Sequence, residues 1–126
     1  MKRFGKTSLK RLDKVHPKLV ILATAVLIKH PEYDISVLDG ARTIEQQKEN
    51  VRKGVSWTMN SRHLIQSDGY SHAIDIKPST YSWDEPISKW KKFAEDVVEI
   101  ARALNIDIKS GGLAWQKDWV HFELKA

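Results

Sequence analysis

Three histidines and two aspartates have the side-chain chemistry and spacing that a catalytic or metal-binding site requires. His63, His72 and His121 lie in three separate segments, while Asp75 and Asp118 each lie three residues from one of these histidines. Imidazole nitrogens and carboxylate oxygens bind zinc in hydrolytic sites, where a nearby carboxylate takes a proton from the attacking water. A single histidine is more often structural than functional. The prediction therefore depends on whether the fold brings these segments together.

Hydrophobic periodicity and end signals predict the elements that would position these residues. Pro17 suits the first position of a helix, and Thr43 with Gln46 forms a capping box at the start of another. Gly54 then ends that helix. A polar stretch without periodicity follows over residues 55–70. We predict a short helix over 8–15, longer helices over 17–29, 43–53 and 86–104, and strands over 34–39, 72–76, 106–109 and 120–124.

The order of these elements predicts an α+β fold, with a small, largely antiparallel sheet covered by helices on one face. Strand alternation places His121 and Glu123 on one face, opposite Val120, Phe122 and Leu124. Alternation also puts Asp75 opposite its isoleucine neighbours. A carboxylate there is either bound and paired or simply on an exposed sheet face, and the sequence leaves both readings open.

Composition narrows the kinds of site that are possible. The 126 residues include no cysteine, which excludes a disulfide scaffold, a thiolate zinc site and a cysteine nucleophile. Hydrophobic residues at 41% and charged residues at 29% favour one globular domain over residues 1–126. The longest apolar run, over 19–28, is about half of the ~20 residues that a membrane span needs. We also find no secretory signal, so we expect synthesis in the cytoplasm and no membrane insertion.

Basic residues are concentrated at the start of the chain. Of the 21 lysines and arginines, seven lie within the first 20 residues, where Asp13 is the one acidic residue. Such a segment suggests a polyanionic partner (nucleic acid, anionic lipid or cell-wall polymer), but a solvated helix face explains it equally well. Five tryptophans also permit base stacking, so a basic nucleic-acid-binding domain is the non-enzymatic alternative. Trp90, however, lies on the apolar face of a predicted helix.

Four segments together resemble the zinc D-alanyl-D-alanine carboxypeptidase family, and within it the phage L-alanyl-D-glutamate peptidases that act as endolysins. The segments are Ser61-Arg62-His63, Ala73-Ile74-Asp75-Ile76, Asp118-x-x-His121-Phe122-Glu123-Leu124, and, upstream, Asp39-Gly40-Ala41-Arg42-Thr43. The opening Phe4-Gly5-Lys6-Thr7-Ser8 is similar to the start of the phage branch. The resemblance implies the zinc peptidase fold shared by DD-peptidases and hedgehog proteins.

The resemblance also implies a mononuclear zinc site. His63, Asp75 and His121 would bind the ion, and water would fill its open position. Asp118 would be the general base, and Arg42 would stabilise the oxyanion or bind a substrate carboxylate. Two softer expectations are that Ser61 orients the loop or a ligand and that Glu123 holds a ligand imidazole.

One segment departs from the family pattern. Asp75 follows His63 by 12 residues, a longer spacing than is usual, and Ser71 occupies the position of a glycine. We interpret residues 64–70 as a lengthened loop between two ligands, which is tolerable if its ends stay in place. Because His72 and Asp75 are three apart in a strand, they should face opposite ways. We therefore expect His72 outside the ligand set, and His16 and His30 as ordinary surface residues.

The resemblance implies hydrolysis of the peptide stem of bacterial peptidoglycan, at the L-alanyl-D-glutamate bond, by a monomeric endolysin. D-alanyl-D-alanine carboxypeptidase activity is the close alternative. We expect the protein to wait in the host cytoplasm until lysis and then to act on the cell wall.

Overall fold

Five helices and four strands occupy residues 2–54 and 61–125, the part of the chain that the computed structural model describes. In chain order they are α1 (Lys6–Arg11), α2 (Pro17–Lys29), β1 (Ile35–Asp39), α3 (Ile44–Arg52), β2 (Ala73–Pro78), α4 (Ile87–Ala103), β3 (Ile108–Ser110), α5 (Gly111–Trp115) and β4 (His121–Leu124). The strands form one antiparallel sheet in the order β1-β2-β4-β3. The predicted α+β class is therefore confirmed.

The hydrophobic core lies between one face of this sheet and helices α2 and α4. Ile74 and Ile76 of β2 and Phe122 of β4 are fully buried there. Phe93 of α4 meets Phe122 edge to face, with ring centroids 6.0 Å apart. Burial of each such side chain contributes about 1.5–3 kcal/mol. The residues that alternate with them, including Asp75 and His121, are thereby directed to the other face of the sheet.

The predicted starts of α2 and α3 are confirmed, whereas α1 spans Lys6–Arg11 and so begins and ends earlier than the predicted 8–15. Pro17 occupies the first turn of α2. At α3, the Gln46 amide donates to Thr43 Oγ1 at 3.1 Å, and the Thr43 amide donates to Gln46 Oε1 at 2.8 Å. Both bonds of the capping box are thus present, and they fix the start of α3 at Ile44, two residues after Arg42.

The buried face of α4 is narrower than predicted. Trp90, Phe93, Ala94, Val97 and Ala101 are buried. Ile87 and Leu104, which we expected on the same face, are 65% and 41% exposed. They lie at the two ends of the helix, outside the run from Trp90 to Ala101 that packs on the core.

The prediction for the segment after α4 was partly wrong. Asn105 adopts a left-handed conformation (φ 58°), and the Ile106 amide donates to Ala101 O at 2.9 Å. This Schellman closure uses Ile106 to end α4, so β3 begins at Ile108 and not at residue 106.

Helix α5 was not predicted, because two glycines at its start have poor helix propensity. Packing explains why glycines occupy these two positions. A Cβ on Gly112 would lie 2.0 Å from the ring of Trp119, and one on Gly111 would lie 2.7 Å from the carbonyl oxygen of Asp118. Ser110 caps the helix by accepting from the Leu113 amide at 3.2 Å.

Two further predictions concern the loop and the membrane. Residues 55–60 of the predicted loop lie outside the described residues, and 61–70 contain only isolated bridges, at Leu64 and Ile65. Among the described residues, the helices are too short or too polar for any of them to span a membrane.

Candidate metal centre

The pairing of β2 with β4 places Asp75 and His121 directly opposite each other. They are partners in the antiparallel register, so their side chains lie on the same face of the sheet. Asp75 Oδ1 lies 3.1 Å from His121 Nδ1. The alternation that buries Ile74 and Phe122 therefore also brings together a carboxylate and an imidazole.

His63 reaches the same point from the segment that follows α3. Its carbonyl accepts from the Arg42 amide at 2.8 Å, which ties this segment to the end of β1. Its Nε2 atom lies 3.2 Å from Asp75 Oδ1, and its Nδ1 donates to Gly40 O at 2.8 Å. A Cβ on Gly40 would lie 2.1 Å from the carbonyl of Arg11, so glycine is required where this carbonyl is presented. The His63 amide also donates to Ser61 Oγ at 3.1 Å.

His63, Asp75 and His121 each offer one ligand atom, and these atoms all lie within 4.8 Å of one another. The far nitrogen of each ring is held by an acceptor: Gly40 O for His63, and Glu123 Oε1, at 2.8 Å, for His121. Because a carbonyl and a carboxylate can only accept, these nitrogens carry protons. The other nitrogen of each ring faces Asp75 and could bind an ion. Metal-ligating histidines are held in the same way, with the far N–H donated to an acceptor. The donor set therefore fits a divalent zinc ion.

Glu123 and Arg62 form an outer layer behind His121. The guanidinium of Arg62 lies on the other side of Glu123, with Nε 3.8 Å from Oε2, and its Nη2 donates to Leu124 O at 2.8 Å. Arg62 Nε is buried and has no hydrogen-bond partner within residues 2–54 and 61–125. The sequence analysis named Arg62 only as part of a motif and did not predict its contact with Glu123. Its position directly before His63 was the one sequence feature that pointed to a place near the site.

The charges of this cluster stabilise one another. Burial alone would raise the pKa of Asp75, but hydrogen bonds and the charges of His121 and His63 hold it well below its usual value. Burial would lower the pKa of His121, whereas its contacts with Asp75 and Glu123 raise it to about 9. The pairing of Asp75 with His121 thus favours the charged form of both groups.

Asp118 lies in the turn that leads into β4, close enough to the cluster to interact electrostatically with Asp75, His121 and His63. It adopts a left-handed conformation (φ 63°), which aspartate tolerates better than most residues, and its carbonyl accepts from the His121 amide at 3.1 Å. Although the side chain reaches solvent, the pKa of Asp118 is raised, mainly by partial desolvation and to a smaller extent by repulsion from Asp75. A carboxylate with a raised pKa beside the donor atoms is suited to accept a proton.

Arg42 is held beside the cluster by β1 and α3. Asp39, which is the register partner of Asp75, accepts from Arg42 Nε at 2.9 Å and also from Nη2. Arg42 Nη1 donates to the fully buried Gln47 at 2.9 Å. The positive charge of Arg42 lowers the pKa of Asp118, against the larger effects that raise it. The guanidinium is therefore fixed within electrostatic range of the site.

Trp115 forms part of the wall of the site and was missed by the sequence reasoning, which treated the tryptophans as scattered. Its ring centroid lies 5.7 Å from that of His121, and it is 44% exposed. Lys109 Nζ lies 5.9 Å from the centre of the same ring. Its place in α5, a helix that the sequence did not predict, explains the omission.

The structure places His72 apart from these residues. Its Nε2 lies 2.7 Å from Asp68, within the lengthened loop. His16, expected to be an ordinary surface residue, is half-buried beside them and caps α2 by accepting from the Lys18 amide at 3.1 Å. His30, also expected to be an ordinary surface residue, is half-buried and pairs with the exposed Glu32.

Two imidazoles and a carboxylate around one point, with a further carboxylate nearby, form the kind of site found in mononuclear metallohydrolases. Residues 1–124 match the family of phage L-alanyl-D-glutamate peptidases, and the chain belongs to that family. It is therefore a hydrolase of the peptidase class, and the resemblance noted in the sequence is confirmed.

Two relatives support this assignment. The L-alanyl-D-glutamate peptidase of Escherichia phage T5 is 30% identical over 125 residues, covering 93% of this chain and 81% of the relative. The crystal structure of the Serratia marcescens L-Ala D-Glu endopeptidase ChiX superposes with a TM-score of 0.75 at 32% identity, over 98% of this chain and 90% of that one. The expected peptidase fold is thereby confirmed.

Proposed function

We propose that this protein is a zinc-dependent endopeptidase that hydrolyses the L-alanyl-D-glutamate bond in the peptide stem of bacterial peptidoglycan. The observation that carries the metal dependence is the convergence of His63, Asp75 and His121, with the far nitrogen of each ring anchored by an acceptor. The bond and the substrate are proposed from family membership and from the names of the two relatives.

His63 Nε2, Asp75 Oδ1 and His121 Nδ1 would hold the ion. Zinc bound there would supply Lewis acidity to the scissile carbonyl and to the attacking water. The hydrogen bonds from the rings to Gly40 and Glu123 fix the orientation of both imidazoles before the ion arrives. Less reorganisation is then needed on binding, which favours affinity.

We propose Asp118 as the general base. Its carboxylate would accept a proton from the attacking water and pass it to the amine of the leaving D-glutamate residue. The raised pKa of Asp118 makes it a better proton acceptor than an ordinary exposed aspartate. Its exposed side chain is accessible to substrate.

Arg42 would stabilise negative charge on the substrate. Of its five N–H groups, three bind Asp39 and Gln47, which leaves one on each terminal nitrogen to donate elsewhere. Since Asp39 and Gln47 already fix the plane of the guanidinium, binding an oxyanion or a carboxylate requires little further ordering.

The basic residues of α1 and of the turn that follows it would assist binding to the anionic wall. Lys10, Arg11 and Lys14 line a cavity of about 590 Å³ that also reaches Gly40, next to the metal centre. Arg11 donates to Val37 O at 2.9 Å and so also has a structural role. Replacing Lys6, Lys10 and Lys14 with glutamine should weaken wall binding and reduce its salt dependence. Unchanged binding would contradict this part of the proposal.

The expected biology is that of an endolysin: a single monomeric domain that accumulates in the host cytoplasm and acts on the cell wall at lysis. Cell fractionation before and after lysis, with sedimentation of the purified protein, tests these points. They follow from the family and are independent of the metal assignment.

Mass spectrometry of digested peptidoglycan tests the activity itself. Purified walls are treated with the enzyme, with the chelated enzyme, and with the chelated enzyme after zinc is restored. We expect new D-glutamate amino termini in the first and third samples only. Release of D-alanine instead would identify a carboxypeptidase. Full activity in a sample shown to be zinc-free would refute the proposed metal dependence.

A further inference from the structure

A second group of two imidazoles and a carboxylate lies where α2, the lengthened loop and the start of β2 meet. His72 Nε2 is 2.7 Å from Asp68 Oδ2, and His16 Nε2 is 3.9 Å from the same oxygen. The two rings meet edge to face with centroids 5.3 Å apart. One ligand atom from each residue lies within 4.8 Å of the others. None of the three belongs to the first cluster.

The loop holds Asp68 in a defined orientation. Asp68 Oδ1 accepts from the Tyr70 amide at 3.1 Å, which leaves Oδ2 turned toward the two imidazoles. The Gln66 amide donates to Tyr70 O at 2.8 Å, and the Gly69 amide donates to Gln66 O at 2.9 Å. Gly69 supports this turn with a φ of 87°. The carboxylate is thus positioned by the backbone around it as well as by the histidines.

The two histidines are tied to regular structure. The carbonyl of His72 accepts from the Leu124 amide of β4 at 2.9 Å, and its own amide donates to Arg62 O at 2.9 Å. The His16 amide donates to Ser71 O at 3.0 Å. The backbones that carry the three side chains are therefore fixed relative to one another, while the side chains stay partly exposed, at 22%, 41% and 21% for His16, Asp68 and His72. An ion could reach them from solvent.

We propose that His16, Asp68 and His72 form a second site for a divalent metal ion of the zinc class, completed by water. Imidazole nitrogen with one carboxylate oxygen is a donor set suited to zinc, nickel or copper and poorly suited to calcium or magnesium. An ion there would fasten the loop that joins His63 to Asp75 onto the start of α2. It would act by stabilising the positions of the first cluster's residues, away from the reacting atoms.

Metal binding at this site has a distinct local consequence. His16 Nδ1 now accepts from the Lys18 amide, so the proton of the neutral ring is on Nε2. Coordination through Nε2 moves that proton to Nδ1 and breaks the bond that caps α2. The Lys18 amide therefore reports on occupation of this site and is remote from the first cluster.

Zinc stoichiometry tests the proposal. Each protein is equilibrated with excess Zn²⁺ by dialysis, and the bound metal is measured by mass spectrometry. We expect two ions per chain in the unaltered protein and one in His72→Gln, in Asp68→Asn and in His16→Asn. The asparagines keep an acceptor for the Tyr70 amide and for the cap of α2, so folding should be preserved. His30→Gln is the matched control, because His30 pairs with Glu32 but belongs to neither three-residue group found in the described part of the chain. It should still bind two.

Metal binding at each of the two sites can be abolished separately by substitution. His121→Gln should keep the ion bound by His16, Asp68 and His72 and lose the other. The second site is refuted if the unaltered protein and His72→Gln both bind one ion, or if His72→Gln still binds two. Nuclear magnetic resonance during a Zn²⁺ titration of His121→Gln adds a local measurement. The ring signals of His16 and His72 and the amide of Lys18 should shift, and unchanged signals at saturating zinc would also overturn the proposal.

Discussion

The two clusters of two histidines and one aspartate differ in what holds them. In the first, Asp75 and His121 are partners across paired strands, His63 is 3% exposed, and both rings are anchored by acceptors. In the second, Asp68 lies in a loop and is 41% exposed. The same residue types therefore form a rigid, partly dehydrated site in the first cluster and a hydrated site in the second. Catalysis requires the former, because preorganised charges act most strongly where water is excluded.

The comparison predicts its largest effect when equivalent aspartates are altered. If the proposed zinc site is correct, Asp75→Asn should lose the ion of the first cluster and all detectable peptidase activity, since its carboxylate would supply a ligand and the charge that balances the ion. Asp68→Asn, the matched change in the second cluster, should keep at least about half of the activity if its ion is only structural. Peptidoglycan hydrolysis with bound zinc measured on the same samples checks both. Equal losses in the two variants would remove the proposed distinction between the clusters.

Asp118 has no counterpart in the second cluster and provides the next largest effect. Asp118→Ala should lower kcat/KM by about 10²–10⁴-fold, the range for loss of a general base, while zinc content is unchanged. Asp84→Ala is a suitable control, because Asp84 is exposed and belongs to neither group of possible metal ligands in the described part of the chain. Activity of Asp118→Ala within a few-fold of the unaltered enzyme would exclude Asp118 as the base.

The outer layer should give an intermediate effect. Glu123→Gln keeps a side chain that can accept from His121 Nε2 but removes the charge between His121 and Arg62. We expect zinc affinity to fall by about 10–100-fold, as is typical when a partner behind a metal ligand is changed. Competition with a chromogenic chelator measures this affinity. Glu99→Gln, on the exposed side of α4, should bind zinc normally. An unaltered affinity in Glu123→Gln would show that orientation of His121 does not depend on this charge.

Short sequence patterns predicted those parts of the fold that depend on residues close together in the chain. The capping box at Thr43, the proline at the start of α2 and the alternation around Ile74 and Phe122 are each determined by a few neighbouring residues. The convergence of three distant segments was instead inferred from a family resemblance. Spacing alone did not provide it, because strand register depends on contacts between residues far apart in the chain.

The features that were missed depend on tertiary contacts. Gly111 and Gly112 have low helix propensity, yet they begin α5 because Asp118 and Trp119 leave no room for a larger residue. The position of Trp115 beside His121 follows from that helix. His16 was assigned to the surface because the sequence does not show that residues 64–70 fold back toward α2. In each case the missing information was a contact made across the fold.

The smallest expected effects are opposite pH dependences of stability in the zinc-free protein. The folded state raises the pKa of His121 from 6.5 to about 9, so His121 stabilises the fold fully below pH 6.5, and this contribution is lost as the pH rises through about 9. The pKa of His16 is instead lowered, mainly by burial and to a smaller extent by repulsion from His72. The contribution of His16 to the stability of the fold is therefore present above pH 6.5 and is lost as the pH falls below it.

Thermal unfolding of the chelated protein between pH 5 and pH 10 separates these two contributions. His121→Gln should flatten the decline in Tm on the alkaline side, and His16→Asn should flatten a smaller decline on the acid side. The smaller change is expected for His16 because its ring is more exposed and its charge is better screened. If both variants altered the same side of the profile, the fold would not favour opposite protonation states for His16 and His121. The contrast between an anchored and a loop-borne site would then need another physical basis.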